Sequence, residues 1–152
     1  MTDDKKVFEL IKMGKFENIP SGSWKNKDVV LNAIEVSAEG LKFADDKFHF
    51  DREIVLKAVK FHGNCLEHLL NKNFLEDQEI VLEAIKSSDF GVLDNLLGIG
   101  NYSDQWDGPA DKLLSNKEFI VKATKIDNGC LRYADVSLAY DPDLTLNKIN
   151  QL

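Results

Sequence analysis

His62, Cys65 and His68 stand three positions apart, a grouping of imidazole and thiol side chains that could do chemistry. On one helical face they would offer zinc two nitrogens and a thiolate. Cys65 with a neighbouring histidine would also have the makings of an activated nucleophile. No fourth zinc ligand stands at motif spacing, and a thiol on an apolar helix face is poorly ionised. A second grouping, Asp104, Asp107 and Asp111, supplies carboxylates for acid-base work or a hard cation. It lacks the alternating oxygen ligands and distal glutamate of a calcium loop. Gly98 and Gly100 have neither the Gly-Lys-Ser/Thr continuation nor the preceding strand of a phosphate loop, and Asn101-Tyr102-Ser103 is a glycosylation triplet only in form. The residues thus point to no catalytic group, no metal and no cofactor. What they offer is recognition: Tyr102 and Trp106 are aromatics suited to anchoring an interface, beside Asp104, Asp107 and Asp111.

The elements that must position these residues are repeats. Asp51 to Leu70, DREIVLKAVKFHGNCLEHLL, is the clearest unit, and the residues opening each unit are Asn26, Asp51, Asp77, Asn116 and Asp141. The period is about 25 residues, except that the third interval is longer by about 13, as the fixed period of a solenoid shows up in sequence. A weaker copy begins at Asp3, with Val7, Phe8, Leu10, Ile11 and Met13 on core positions, and ends at Gly14. Each opening Asp or Asn can cap the first turn of a helix through its side-chain oxygen. Pro142 after Asp141 suits a first helical position. Ile54, Val55, Ala58, Val59 and then His62 recur at helical spacing, and Glu53–Lys57 and Glu118–Lys122 have the favourable i, i+4 polarity.

A glycine follows each helix (Gly40, Gly63, Gly91, Gly129), either capping it in left-handed backbone or opening a short second helix. The second helix has core positions at Leu41 and Ala44, Leu66 and Leu69, Val92, Leu93 and Leu96, then Leu131 and Ala134, with Leu70 beside Leu69 in the same apolar group. A polar link ending in Phe48, Phe74, Leu113 or Leu138 closes the unit. Cys65 aligns with Cys130, and His68 with Phe43, Asn95 and Tyr133, so both are expected to be packing residues. Trp24 is expected to pack at the end of the first link.

Neither helix of a pair can hide its apolar face alone, so consecutive pairs must stack. The expected fold is all-α, a short curved stack of tandem helix pairs resembling an α-solenoid, with one insertion after the third full repeat. It forms a single domain: an N-terminal cap at 1–25, repeats at 26–97, an insertion loop at 98–112, and a further repeat with a C-terminal cap at 113–152.

Four segments, NKDVVLNAIEVSAEGLKFA, DREIVLKAVKFHGNCLEHL, DQEIVLEAIKSSDFGVLDNL and NKEFIVKATKIDNGCLRYA, resemble the tandem helical repeats called domain of unknown function 4116. The resemblance covers roughly 26–97 and 116–149 and brings no catalytic residues. It implies a bacterial, viral or protist protein built for interaction.

Composition sets the partners. A chain of 152 residues with 43% hydrophobic content is long enough for one core. Two cysteines are too few for a disulfide scaffold and are expected to be reduced and buried. No stretch approaches the roughly 18 apolar residues of a membrane span, and the N-terminus does not read as a signal peptide, so a cytoplasmic setting is expected. A net charge of −7 disfavours nucleic acid and anionic membranes and favours a basic protein partner. The charge is local: between Glu76 and Asp111, Glu76, Asp77, Glu79, Glu83, Asp89, Asp94, Asp104, Asp107 and Asp111 face a single basic residue, Lys86. The leading expectation is a non-enzymatic interaction module that binds a basic partner through this acidic face and the 98–112 loop. A toxin or defence enzyme would be such a partner for an immunity- or inhibitor-type protein. The alternatives are an enzyme using the insertion's carboxylates and a self-assembling scaffold.

Overall fold

In the computed structural model, which describes residues 3–87, 111–138 and 140–144, the long helices are α1 (Asp3–Lys12), α2 (Lys27–Val36), α3 (Arg52–Phe61), α4 (Gln78–Ser87) and α5 (Lys117–Ile126). Each is ten residues long, which is too short to hold in water without tertiary packing. The starts of α2 to α5 are fixed by the caps read from the sequence. The Asn26 side chain accepts from the Asp28 amide at 2.8 Å, Asp51 from Glu53 and Ile54, Asp77 from Glu79 and Ile80, and Asn116 from Phe119 at 3.1 Å. The Asp141 side chain accepts from the Asp143 amide in the same way, ahead of the helical residues 142–144.

In α2 to α5 four positions per helix are buried, and they are the same four each time: Val29, Val30, Ala33 and Ile34; Ile54, Val55, Ala58 and Val59; Ile80, Val81, Ala84 and Ile85; Phe119, Ile120, Ala123 and Thr124. Thr124 is the polar exception, and its hydroxyl donates to the Val121 carbonyl at 3.1 Å. The broad apolar arc is explained by neighbours on both sides: α1 packs on α2, α2 on α3, α3 on α4, and α4 on α5. In α4, Ile80 and Ala84 join the core running back to Val7, whereas Val81 and Ile85 join a second core running forward to Leu144.

Among the described residues the second helix of a unit is a short turn: Glu39–Lys42, then the 3-10 turns Gly63–His68 and Asn128–Tyr133. The expected polar links are helical turns as well. Ser21–Lys25, Asp46–Phe50, Lys72–Glu76 and Val136–Leu138 are 3-10, and Asp111–Leu114 is α-helical. Side chains cap these turns: Asp45, Asn71 and Asp135 accept from the amides of Lys47, Asn73 and Ser137. The units that open at Asn26, Asp51 and Asn116 are therefore each one long helix followed by two tight turns.

Some positions differ from the sequence reading. Met13 and Leu70, expected in the core, are 62% and 56% exposed. Among the described glycines only Gly14 has left-handed backbone, at φ +67°. It closes α1 with the paired bonds of a Schellman motif, Lys15 amide to Leu10 carbonyl and Gly14 amide to Ile11 carbonyl. Gly40 serves close approach instead: a Cβ there would lie 2.5 Å from the Ala33 carbonyl carbon. Trp24 packs as expected, stacked on Phe43 at 5.4 Å between ring centroids and edge-on to Phe16.

Candidate functional site

The expected site straddles the boundary of the described residues. Tyr102, Asp104, Trp106 and Asp107 lie outside them. Asp111 and Lys112, expected to end the insertion, begin the helical turn Asp111–Leu114, and Leu113 is buried in the second core. This turn occupies the place before Asn116 that Asp46–Phe50 takes before Asp51, so the regular repeat resumes at Asp111. Lys112 reaches back to Glu76 of the preceding unit, 2.9 and 3.1 Å from its two carboxylate oxygens.

The acidic stretch is only partly open to a partner. Arg52, the first residue of α3, bonds Asp77 at 2.7 Å and Glu79 at 2.6 Å on α4, and Lys86 bonds Glu83 at 2.5 Å. With Glu76 held by Lys112, each of the four acidic residues from Glu76 to Glu83 is ion-paired within the stack, the four carboxylates sharing three cations. The direct hydrogen bond from Arg52 holds the Asp77 carboxyl below the ordinary carboxylate range, and Asp77 in turn raises the guanidinium. From residue 87 to 111 the sequence has five aspartates, Asp89, Asp94, Asp104, Asp107 and Asp111, and no lysine or arginine.

The Arg52 contacts belong to a series. Lys27, first in α2, reaches Glu53 of α3 at 3.4 Å, and Lys117, first in α5, reaches Asp141 at 3.0 Å and Asp143 at 2.6 Å. In each case the first helical residue carries a cation that meets the cap or second residue of the next unit. Lys117 is raised by its bonds to Asp143 and Asp141, and Asp141 is lowered by Lys117. These rungs replace one expected contact. Glu53 turns to Lys27, and Lys57 turns to Glu35 of α2 at 3.1 Å, whereas Glu118–Lys122 forms within its helix at 2.6 Å as expected. The series breaks at α4, whose first residue is Gln78, in the unit that carries the insertion.

The zinc and nucleophile candidates sit in packing. Cys65 and Cys130 are free, fully covered thiols, and burial pushes both up to about 12, with Asp127 adding to the effect at Cys130. A thiol so placed is protonated near neutrality and is a poor nucleophile. Among the described residues no group of three or more His, Cys, Asp or Glu side chains is placed to hold a metal ion. A cleft of about 270 Å³ lies on the N-terminal cap between α1 and the Ser21–Lys25 turn, lined by Asp4, Lys6, Val7, Leu10, Asn18, Pro20 and Ser23. Sequence reasoning did not find the inter-unit rungs. Their signal was a basic residue directly after the cap with an acidic one next to it, as in Lys27-Asp28, Arg52-Glu53 and Lys117-Glu118.

No helix among the described residues is long and apolar enough to cross a membrane. No curated protein and no solved structure matches the chain. The family model for "Domain of unknown function (DUF4116)" matches residues 26–72 and again 51–91, and the two matches start one repeat apart, at the caps Asn26 and Asp51. Residues 26–91 are thus similar to tandem DUF4116 repeats, and α5 with its two turns carries the same architecture on to Leu138.

Proposed function

We propose that this chain is a non-enzymatic protein-interaction module that captures a basic partner protein through its insertion, with Tyr102, Asp104, Trp106, Asp107 and Asp111 as the contacting residues. One observation carries this most: Glu76, Asp77, Glu79 and Glu83 are each engaged in ion pairs within the stack, sharing Lys112, Arg52 and Lys86. The five aspartates from Asp89 to Asp111 have no basic residue in their own stretch of sequence. A local excess of one sign steers an oppositely charged partner and speeds encounter. Tyr102 and Trp106 supply the apolar area that charge alone does not. In its specific form this is a cytoplasmic inhibitor or immunity-type protein that occludes a basic toxin or defence enzyme.

The test is the triple variant Asp104→Lys, Asp107→Lys, Asp111→Lys, compared with wild type in capture from the native host. Its circular dichroism and melting should match wild type. Capture at low ionic strength should fall by about tenfold or more, with the gap narrowing as salt rises. Equal capture by the two proteins at low salt rejects the insertion as the contact.

A further inference from the structure

The eight large apolar residues exposed among the described residues are not scattered. Four of them, Met13, Val36, Phe61 and Ile126, stand ten residues after the openings Asp3, Asn26, Asp51 and Asn116, where each long helix ends. α1 shares this register in the structure, because Val7 and Ile11 are buried at the places of Val30 and Ile34. The four are 62%, 43%, 44% and 37% exposed. A lone apolar side chain on a surface is ordinary, but one position recurring in four of five packed helices makes a row.

Contacts at these helix ends place them side by side. Lys57 of α3 meets Glu35 of α2 at 3.1 Å, and the Ser87 hydroxyl, at the end of α4, donates to the Val59 carbonyl in the last turn of α3. Ser87 is the polar gap in the row, its hydroxyl directed also to the Glu83 and Ala84 carbonyls. Charge at this end differs from that at the other. The helix starts consume Lys27, Arg52 and Lys117 in the rungs. At the ends, Lys60 and Lys125 directly precede Phe61 and Ile126 and have no ion-pair partner among the described residues. Glu9, Glu35 and Glu83 are held by Lys12, Lys57 and Lys86, Asp127 turns to the Gly129 amide, and Glu39 is offset by Lys42 in the same short turn.

We propose that this row is the docking surface for an extended acidic segment of a partner protein, lying across the helix ends with an apolar residue at every third position. Packed helices stand about 8–10 Å apart, which sets the step from one apolar residue of the row to the next. A polyproline II segment returns the same face every three residues, or about 9 Å, whereas a β-strand does so about every 7 Å. The apolar side chains of such a segment meet Met13, Val36 and Phe61, and the carboxylates between them meet Lys60. Past the gap at Ser87, Lys125 and Ile126 repeat the pairing. None of these residues belongs to the insertion, and the partner has the opposite sign, so this surface stands apart from the one proposed above.

A fluorescein-labelled peptide of four Leu-Asp-Pro repeats, whose prolines forbid a helix, tests the row by fluorescence anisotropy against the full chain. Saturable binding is expected, and a peptide of four Ser-Asp-Pro repeats, equal in charge, should bind about tenfold more weakly or worse. Phe61→Ser should weaken the Leu-Asp-Pro peptide about tenfold at low and high salt alike. Lys60→Glu should weaken it several-fold at low salt, with the gap closing as salt rises. Both side chains are exposed, so circular dichroism of the variants should match wild type. Lys60→Glu and the Ser-Asp-Pro peptide decide the matter even where Phe61→Ser fails to fold. Absence of saturable binding overturns the proposal, as does equal binding of the two peptides or unchanged affinity in either folded variant. A dimer of the full chain that Phe61→Ser dissolves would assign the row to a second copy and overturn it as well.

Discussion

Single side chains in this stack are constrained by the neighbouring backbone more than by chemistry of their own. Gly40→Ala would drive its Cβ to within 2.7 Å of the Ala33 carbonyl oxygen and the Ile34 nitrogen, backbone atoms that cannot swing away. We expect a loss of roughly 1–3 kcal/mol in urea unfolding, the usual cost of overpacking. Gly22→Ala is the control, since nothing lies within 4 Å of its Cβ and its backbone is not left-handed. Its midpoint should stay within about 0.5 kcal/mol of wild type. Cys65 and Cys130 give a second measurement at this scale. Both are covered and held up to about 12 by burial, so a thiol reagent at pH 8 should label them at the rate of opening. Labelling as fast as a free peptide thiol would contradict the packing.

At the scale of the element, α2 to α5 are defined by their caps, and α2, α3 and α5 are each joined to the next unit by their first residue. Asp77 does both, capping α4 and receiving Arg52. Asp77→Ala should cost about 1 kcal/mol for the cap. Asp77→Asn keeps a capping oxygen and removes only the charge, so its loss should be smaller, about 0.5 kcal/mol after screening. Because Arg52 lowers the Asp77 carboxyl, the stability it brings is present above the ordinary 3.8 and disappears as pH falls through the lower folded value. The gap between wild type and Asp77→Asn in acid titrations should therefore close below that range, and a gap that persisted would assign the loss to something other than charge. Caps, periods and the four buried positions per helix were legible in the sequence, since a cap is a local event and a ten-residue helix shows its period. The tight turns at Asp46–Phe50 and Lys72–Glu76 were not, because five residues are too few to display a helical period. The Arg52–Asp77 and Lys27–Glu53 pairs were hidden because they depend on the register between units, which i, i+4 bookkeeping within one helix cannot see.

For the whole molecule, the insertion is the interruption of an otherwise regular array. The third interval exceeds the period by about 13 residues, and the repeat is back in phase at Asp111. Excising residues 98–110 should leave a folded helical protein, because α4 and α5 already pack on one another and supply Val81, Ile85, Phe119 and Ile120 to one core. Retained helical circular dichroism with loss of partner capture is the expected pair of outcomes; collapse of the fold would mean that the segment is structural. Within the candidate site the sequence supplied the aromatic and acidic residues of the insertion. It could not show that Glu76, Asp77 and Glu79 are ion-paired inside the stack, since their cations, Arg52 and Lys112, come from other units.

The rungs at the helix starts share one sense: the cation sits on the earlier unit and the carboxylates on the later, at Lys27–Glu53, Arg52–Asp77 and Lys117–Asp141. Each copy thus carries its own plug and socket. Gene duplication can lengthen or trim such an array by whole periods without redesigning a junction. A copy lacking its plug, as with Gln78, is a natural point for foreign sequence to enter.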